Sequence, residues 1–207
     1  KGYSRYIDAI LNVSKNILCF EEYFNLNPKP DNFVIIRHDV DRMPYRALNM
    51  AKLESKKGIK STYYFRSKKH TFRPMIIKEI SSLGHEIGYH YESLSDAKGD
   101  MDLAFADFEK NLNRFRKIVP IQTISMHGRP FSTFDNRDLW NNTKNHQKLL
   151  GSLGILGEVY LDIDYSDIAY VNDTGRNWSS TKSNHRDKID SSVNVDFKNS
   201  KDLYDSL

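Results

Sequence analysis

Short apolar segments alternate with helical patterns along most of this chain, and this alternation restricts the possible folds more than any other feature. Strands are predicted at residues 33–36, 61–65, 85–91, 122–126, 157–163 and 168–171, and helices at residues 44–57, 74–83, 105–119 and 135–150. When a helix joins two strands of one sheet, the strands normally run parallel and the crossover is right-handed. The pattern therefore predicts an α/β protein, either a (β/α) barrel or an open doubly wound sheet.

The two ends of the chain depart from this pattern. Apolar residues recur at helical spacing from Tyr6 to Leu18, which predicts an N-terminal amphipathic helix that covers the sheet and ends before Asn27-Pro28-Lys29-Pro30. From Asn172 onward the sequence becomes polar and loses its periodicity, so no helix or strand is predicted there.

Composition indicates a folded chain and argues against several classes of function. The 207 residues suit a single domain spanning residues 1–207, and 39% of them are hydrophobic. The net charge is only +4, and Lys and Arg are scattered beside 27 acidic residues without a basic stripe. We therefore expect no nucleic-acid partner, whereas an anionic sugar would fit. No apolar run approaches the roughly 18 residues that a membrane span requires.

Cysteine content bears on the compartment. Cys19 is the single cysteine, which excludes an internal disulfide framework and favours the cytoplasm. The chain begins with Lys rather than Met, so a removed signal segment stays open as an alternative.

Two aspartates follow the first predicted strand, within Arg37-His38-Asp39-Val40-Asp41. If the strand continues to Asp41, side chains alternate and both carboxylates face the same way. Two carboxylates so close together stay ionised only when a cation or a strong donor lies between them, and a metal ion meets that need. The alternative is structural: one Asp caps the next helix and the other pairs with Arg37 or Arg42.

Other predicted strands also end in ionisable residues. These are Arg66 after the second strand, His90-Tyr91-Glu92 at the end of the third, His127-Gly128-Arg129-Pro130 after the fourth and Asp173-Thr174-Gly175-Arg176 after the sixth. In a barrel the carboxyl ends of the strands converge on one face. One Asp with one or two His from separate strands makes a plausible divalent-metal site, although each His alone is more often a satisfied surface or core residue.

The segment His85-Glu86-Ile87-Gly88-Tyr89-His90 resembles the helical motif of zinc proteases but does not fit it. Its second His falls five residues after the first, off the helical face that the motif requires, and Gly88 weakens a helix. Alternation of apolar and polar residues favours a strand instead.

Two of these motifs together resemble the NodB-type polysaccharide deacetylases, carbohydrate esterase family four. They are strand-Asp-x-Asp at Asp39 and Asp41, and Gly84-His85-Glu86-Ile87-Gly88-Tyr89-His90. The stretch from Arg37 to Trp178 is most similar to the WbmS-like branch, which is associated with O-antigen loci.

This resemblance implies a distorted (β/α) barrel of the NodB-homology type that removes an N-acyl group, acetyl or formyl, from a sugar. By motif position Asp39 would be the general base, Asp41 the first metal ligand and His90 the second. Arg129 would take the place of the arginine that orients the catalytic Asp. The implied cofactor is a divalent metal, zinc first, with nickel, cobalt or manganese as alternatives.

The sequence departs from the family pattern in two places. Leu94 stands where the usual second motif has another His, and no late Leu-x-His element, the general acid of the family, precedes Leu207. Either the chain ends before that element or this branch works differently. We expect His127 to be the third metal ligand, with Glu92 in second place as a ligand or as a partner that fixes an imidazole. His127, His38 and His185 are the candidate acids.

The expected partner is an acylated amino-sugar, a sugar nucleotide or a polysaccharide, with Arg66, Asp173 and Arg176 in contact with it. Two other functions stay open. The chain could be a sugar-binding relative without turnover, which the missing His and the missing acid favour, or a metal-dependent hydrolase of another amide.

Overall fold

The computed structural model describes residues 2–129, 131–141, 146–173, 178–179, 189–193, 195–197 and 199–206. The chain forms two compact units, one made of Lys1–Lys15 with Asp162–Leu207 and the other of Asn16–Leu161. The single domain expected from chain length stays a prediction.

The helices are α1 (Gly2–Val13), α2 (Phe20–Asn25), α3 (Pro44–Lys56), α4 (Pro74–Ser82), α5 (Ser93–Asp96), α6 (Met101–Arg116), α7 (Asp138–Asn141), α8 (His146–Ser152) and α9 (Ser200–Ser206). The strands are β1 (Ile17–Leu18), β2 (Val34–Ile35), β3 (Arg37–Val40), β4 (Thr62–Phe65), β5 (Glu86–Tyr91), β6 (Thr123–Met126), β7 (Gly157–Glu158), β8 (Trp178–Ser179) and β9 (Asp196–Phe197). In the smaller unit β8 pairs with β9 in antiparallel fashion, and α1 contacts α9. Among the described residues, no helix combines the length and the apolar character needed to cross a membrane.

A parallel sheet is the framework of the larger unit. Its five strands follow one another in the order β3-β4-β5-β6-β7, and every neighbouring pair is parallel. β1 pairs with β2, also in parallel, and only Ile36 separates β2 from β3. The expected α/β architecture with parallel strands and helical crossovers is confirmed.

The two faces of this sheet differ in chemistry because side chains alternate along each strand. One face packs against helices through large apolar residues, which are Tyr63, Phe65, Ile87, Tyr89, Tyr91, Ile124 and Met126. The aromatic stripe of α6, Phe108 and Phe115 with Leu112, is buried in the same core, as its spacing predicted. The opposite face carries the polar residues of the strands, and it is the face that holds the candidate site.

The two edges of the sheet are linked across its polar face. Arg37 lies on β3 and Tyr160 lies two residues after the end of β7, at opposite edges of the five-stranded sheet. A flat sheet would hold those edges about 19 Å apart, four times the ~4.8 Å strand spacing. Nevertheless, Arg37 Nη2 donates a hydrogen bond of 2.8 Å to the Tyr160 hydroxyl. The two edges therefore approach each other across the polar side.

Several predicted boundaries are wrong. The first helix ends at Val13, and Ile17–Leu18 forms β1 instead, because apolar residues in a short run satisfy either pattern and a distant strand, β2, pairs with them. The strand predicted at 157–163 is only Gly157–Glu158, and residues 168–171 form no strand. The helix predicted at 135–150 corresponds to α7 and α8. The covering role of α1 stays a prediction.

Candidate metal centre

Asp41, His90 and His127 meet at the carboxyl edge of the sheet. Asp41 directly follows β3, His90 lies in β5 and His127 directly follows β6. Asp41 Oδ1 is 3.3 Å from His127 Nδ1 and 3.6 Å from His90 Nε2, and the two ring nitrogens are 3.3 Å apart. One ligand atom from each residue lies within 4.8 Å of the other two. The three side chains can therefore hold a single metal ion.

Both imidazoles are prepared to act as ligands. His90 Nδ1 lies 3.0 Å from the Ser125 carbonyl oxygen, so Nδ1 carries the proton and the bare Nε2 faces Asp41 and His127. Burial lowers the pKa of His90. Burial, followed by the nearby His90, lowers the pKa of His127 to about 4. Both rings are therefore neutral at pH 7, and neutral imidazole is the form that binds metals.

The Asp41 carboxylate gives the clearest sign that a cation belongs here. Asp41 Oδ1 is buried and has no hydrogen-bond partner among the described residues. Burial raises the pKa of Asp41, although His127 acts against it, and the neighbouring Asp39 raises it further. A buried carboxylate oxygen that faces the unprotonated Nε2 of His90 is unfavourable unless a positive charge or a donor lies between them. Two imidazoles and one carboxylate are the donor set of many zinc sites, so these residues fit zinc.

The backbone of Asp41 is fixed by the neighbouring loop. His70 Nε2 and the Thr71 hydroxyl both donate to the Asp41 carbonyl oxygen, each at 3.2 Å. On the other side of the cluster, Asn136 Nδ2 donates to the His127 carbonyl oxygen at 2.8 Å. The loops that follow β3 and β4 are thereby joined to each other, and the loop that follows β6 is held by a bond within itself. Meanwhile 45% of the Asp41 side chain is exposed, so the cluster is open to solvent.

Asp39 lies beside the cluster and is clamped by Arg37. Arg37 Nε donates to Asp39 Oδ1 at 2.8 Å and Arg37 Nη2 donates to Oδ2 at 2.6 Å. Asp39 Oδ2 is 3.7 Å from His90 Nε2. Burial alone would raise the pKa of Asp39, but the Arg37 charge, followed by His90, outweighs it and lowers the pKa to about 2. Asp39 is therefore a carboxylate of fixed orientation next to the metal ligands.

Two tyrosine rings support Arg37. The guanidinium carbon lies 4.7 Å from the centroid of the Tyr160 ring and 5.6 Å from that of Tyr64. Flat guanidinium groups stack well on aromatic faces, which restricts their orientation. Tyr160 and Tyr64 thus help to fix the orientation in which Arg37 donates two hydrogen bonds to Asp39.

Glu92 stands next to the cluster but is engaged by Arg66. Arg66 Nε and Nη2 lie 2.8 and 2.6 Å from Glu92 Oε1, and Lys68 Nζ lies 3.4 Å away. Burial raises the pKa of Glu92, but the hydrogen bond from Arg66 and the Lys68 charge hold it below its usual range. This ion pair places Glu92 outside the three-residue cluster, as a charged neighbour of it.

The arginine that orients Asp39 was not identified from sequence. Arg129, expected in that role, pairs with Asp96 at 2.9 Å, whereas Arg37 holds Asp39. A usable signal existed, because residues two apart on a strand share a face, as Arg37 and Asp39 do. From the sequence, pairing of an aspartate with Arg37 is an alternative to a metal site. In the structure the two arrangements are compatible, because Asp39 pairs with Arg37 while Asp41 faces the histidines.

The remaining candidates lie elsewhere. His38 lies on the opposite face of β3, where its Nε2 is 2.7 Å from Glu54 Oε1. His85 accepts from the Ser61 N–H and donates to the Ala51 carbonyl oxygen, so it is a satisfied core histidine. Asp173 is exposed and belongs to the smaller unit, and its role stays a prediction. Arg176 and His185 lie outside the described residues.

The arrangement unites a site for a divalent cation, a fixed carboxylate next to it and an opening to solvent. These are the parts that metal-assisted hydrolysis requires. No protein-family model and no curated protein matches the chain.

Proposed function

We propose that the protein is a metal-dependent hydrolase that removes an N-acetyl or N-formyl group from a sugar during the synthesis of surface polysaccharide or O-antigen. One observation carries the proposal: the Asp39 carboxylate, clamped by Arg37, lies 3.7 Å from the metal-facing nitrogen of His90. A base of fixed orientation beside a metal centre is what hydrolysis of an unactivated amide needs. The resemblance of the Asp-x-Asp and Gly-His-Glu-Ile-Gly-x-His elements to polysaccharide deacetylases supports the same choice.

We extend the proposal to the fold, as a distorted (β/α) barrel of the NodB-homology type. The hydrogen bond between Arg37 on the first strand of the sheet and Tyr160 beyond the last strand supports this, because it links the two edges of the sheet across one face. Sequential parallel strands joined by helices are the other component of such a barrel.

Asp41, His90 and His127 would hold the metal, with zinc as the first choice. When bound, zinc polarises the amide carbonyl and makes a coordinated water more acidic. Asp39 would accept the proton of the attacking water as its oxygen bonds to the acyl carbon. Arg37 would keep the Asp39 carboxylate ionised and would fix its orientation. Because the pKa of Asp39 is only about 2, it is a weak base that depends on a strongly acidified water.

The leaving amine also needs a proton as the carbon–nitrogen bond breaks. Among the described histidines, His90 and His127 are the proposed ligands, His70 uses its Nε2 to donate to the Asp41 carbonyl oxygen, and His38 is on the other face of the sheet. Asp39 is therefore the residue placed to pass the proton that it accepted to the amine nitrogen. In this scheme one carboxylate serves first as base and then as acid.

Metal content and product release test the proposal together. Purified protein should contain about one zinc per chain, and N-acetyl or N-formyl amino-sugars, their nucleotides or polysaccharides should release acetate or formate. Asp39→Asn should keep its zinc and lose at least ~100-fold in kcat, the usual scale for removal of a general base. Asp96→Asn, a charge change at a carboxylate paired with Arg129, is the control. Near-normal turnover in Asp39→Asn would give the role of base to another group.

A sugar-binding protein without turnover is the second candidate. Leu94, buried in α5, occupies the place of the missing histidine, and the candidate acid His38 lies on the opposite face of the sheet. Zinc binding and sugar binding without release of acetate or formate would favour this function.

A further inference from the structure

Two neighbouring loops beside the metal centre form an exposed surface that the proposed chemistry does not use. The first joins β3 to α3 and the second joins β4 to α4, and His70 connects them by its bond to the Asp41 carbonyl oxygen. The exposed residues are Arg42, Met43, Tyr45 and Arg46 in the first loop and helix start, and Lys69, His70, Arg73 and Met75 in the second. We call these eight residues the basic–apolar patch.

The charge of the patch is uncompensated. No acidic residue occurs between Arg42 and Leu53 or between Arg66 and Lys78. Arg42, Arg46, Lys69 and Arg73 have no ion-pair partner within the described part of the chain. Nearby cations behave differently, since Lys68 and Arg129 both pair with Asp96. The patch is thus a concentration of free positive charge on a chain whose other cations are mixed with acids.

The helices that begin at the patch add to its positive potential. α3 and α4 both start with a proline, and neither has a side-chain cap or an acidic residue in its first turn. In α6, by contrast, the Asp100 side chain caps the N-terminus and Asp102 lies in the first turn. An uncapped helix N-terminus presents the positive end of the helix dipole and attracts anions. Two such ends at one surface point to an anionic partner.

Exposed apolar side chains identify the kind of anion. Tyr45 is 70% exposed, Met75 78% and Met43 59%. Met43 and Met75 add nothing to charge-dependent binding of a soluble polyanion, whereas a membrane surface takes apolar side chains into the headgroup layer while its phosphates meet the cations. We infer that the basic–apolar patch docks the protein on a membrane surface rich in anionic lipids. Because Asp41 joins these loops, docking brings the metal centre to that surface. The inference does not depend on the proposed hydrolase activity.

Vesicle co-sedimentation tests the charge component. The full chain should bind vesicles of phosphatidylcholine with phosphatidylglycerol, should not bind phosphatidylcholine alone, and should be released by salt, which screens surface charge. The variant Arg42→Gln/Lys69→Gln should bind about 25-fold more weakly, about fivefold for each cation. The control Lys56→Gln/Lys117→Gln removes the same charge at the C-terminal ends of α3 and α6 and should bind normally. Equal weakening of both variants, or no binding of the parent protein, would overturn the inference.

A second variant separates a lipid surface from a soluble polyanion. Met43→Ser/Met75→Ser leaves every charge in place, and both positions are exposed, so thermal unfolding should match that of the parent. It should weaken sedimentation with the anionic vesicles while leaving affinity for dextran sulfate unchanged. If the variant keeps full vesicle binding, the apolar side chains do not enter a membrane and the patch is a site for a soluble polyanion instead.

Discussion

The ring of Tyr64 occupies the space that a side chain at Gly88 would need. A β-carbon added at residue 88 would lie 2.1 Å from Tyr64 Cε1 and 2.3 Å from Cδ1. Tyr64 is fully buried on the polar side of the sheet, and Arg37 lies over its ring. The glycine therefore makes room for the tyrosine, which supports the arginine that holds Asp39.

Gly88→Ala should destabilise the protein by about 1–3 kcal/mol, the usual cost of forcing extra volume into a packed interior. Urea unfolding measures this change. Gly151→Ala is the matched control, because Gly151 lies in α8 with nothing within 4 Å of its added β-carbon. That control should be neutral or stabilising by up to ~1 kcal/mol, since alanine is the better helix former. Equal effects of the two changes would show that Tyr64 moves aside freely.

Arg37→Met should raise the pKa of Asp39 from about 2 toward or above its ordinary value of 3.8. The Arg37–Asp39 pair stabilises the folded state at pH values above the pKa that Asp39 has in the unfolded chain. This contribution disappears as the pH falls through the pKa of Asp39 in the folded protein, which is about 2. A carboxyl NMR titration of zinc-free protein gives the pKa directly. Arg129→Met should leave the titration of Asp39 unchanged, because Arg129 pairs with Asp96. If Arg129→Met raises the pKa of Asp39 and Arg37→Met does not, Arg129 is the residue that orients Asp39.

Local patterns predicted that an aspartate after β3 meets histidines at the ends of β5 and β6, whereas the choice of Asp41 over Asp39 came from the resemblance to polysaccharide deacetylases. Each residue lies at the carboxyl end of a strand that its own composition identifies, and the β–α alternation implies that these ends meet at one edge of a parallel sheet. Convergence of the three side chains thus follows from period-two alternation and a topological rule, without knowledge of any long-range contact.

Contacts set by the curvature of the sheet were not predictable in this way. Tyr160 reaches Arg37 only because the two edges of the sheet approach each other, and nothing near Tyr160 in the sequence signals that. The same applies to Ile17–Leu18, whose strand exists only because Val34–Ile35 pairs with it.

Zinc binding should depend on His127 far more than on Glu92. His127→Ala removes one of three ligands and should weaken zinc binding by more than the ~10–100-fold typical of a residue that only orients a ligand. Glu92→Gln keeps the hydrogen bond to Arg66 and should stay within ~10-fold of the parent. Isothermal titration of metal-free protein with zinc gives both affinities.

Thermal unfolding with and without zinc provides an independent measurement. A ligand at 100 times its Kd stabilises the folded state by ~2.7 kcal/mol, so zinc should raise the Tm of the parent and of Glu92→Gln but not of His127→Ala. His146→Ala, a histidine outside the cluster, serves as the control. If Glu92→Gln loses zinc while His127→Ala keeps it, the third ligand is Glu92.

Glu86 should make the stability of the protein fall as the pH rises. It is 4% exposed, and it accepts hydrogen bonds from the Thr62 hydroxyl and the Glu21 N–H as well as contacting the Thr123 hydroxyl. Burial, partly offset by the threonine hydrogen bonds, raises its pKa from 4.5 to about 7. Between these two values the folded state binds more protons than the unfolded state. The stabilisation that protonation of Glu86 gives to the folded state is therefore complete below pH 4.5 and is lost as the pH rises to about 7.

Glu86→Gln tests this directly because the amide resembles the protonated carboxyl and does not titrate. The free energy of unfolding of the variant, relative to that of the parent, should increase from pH 5 to pH 8 by up to about 3 kcal/mol, since each pKa unit corresponds to ~1.4 kcal/mol. Glu79→Gln, at an exposed position paired with Lys52, should show no such trend. Urea unfolding at the two pH values measures all three proteins. Parallel curves for Glu86→Gln and the parent would mean that Glu86 stays ionised in the folded protein, with its charge balanced by the surrounding hydrogen-bond donors.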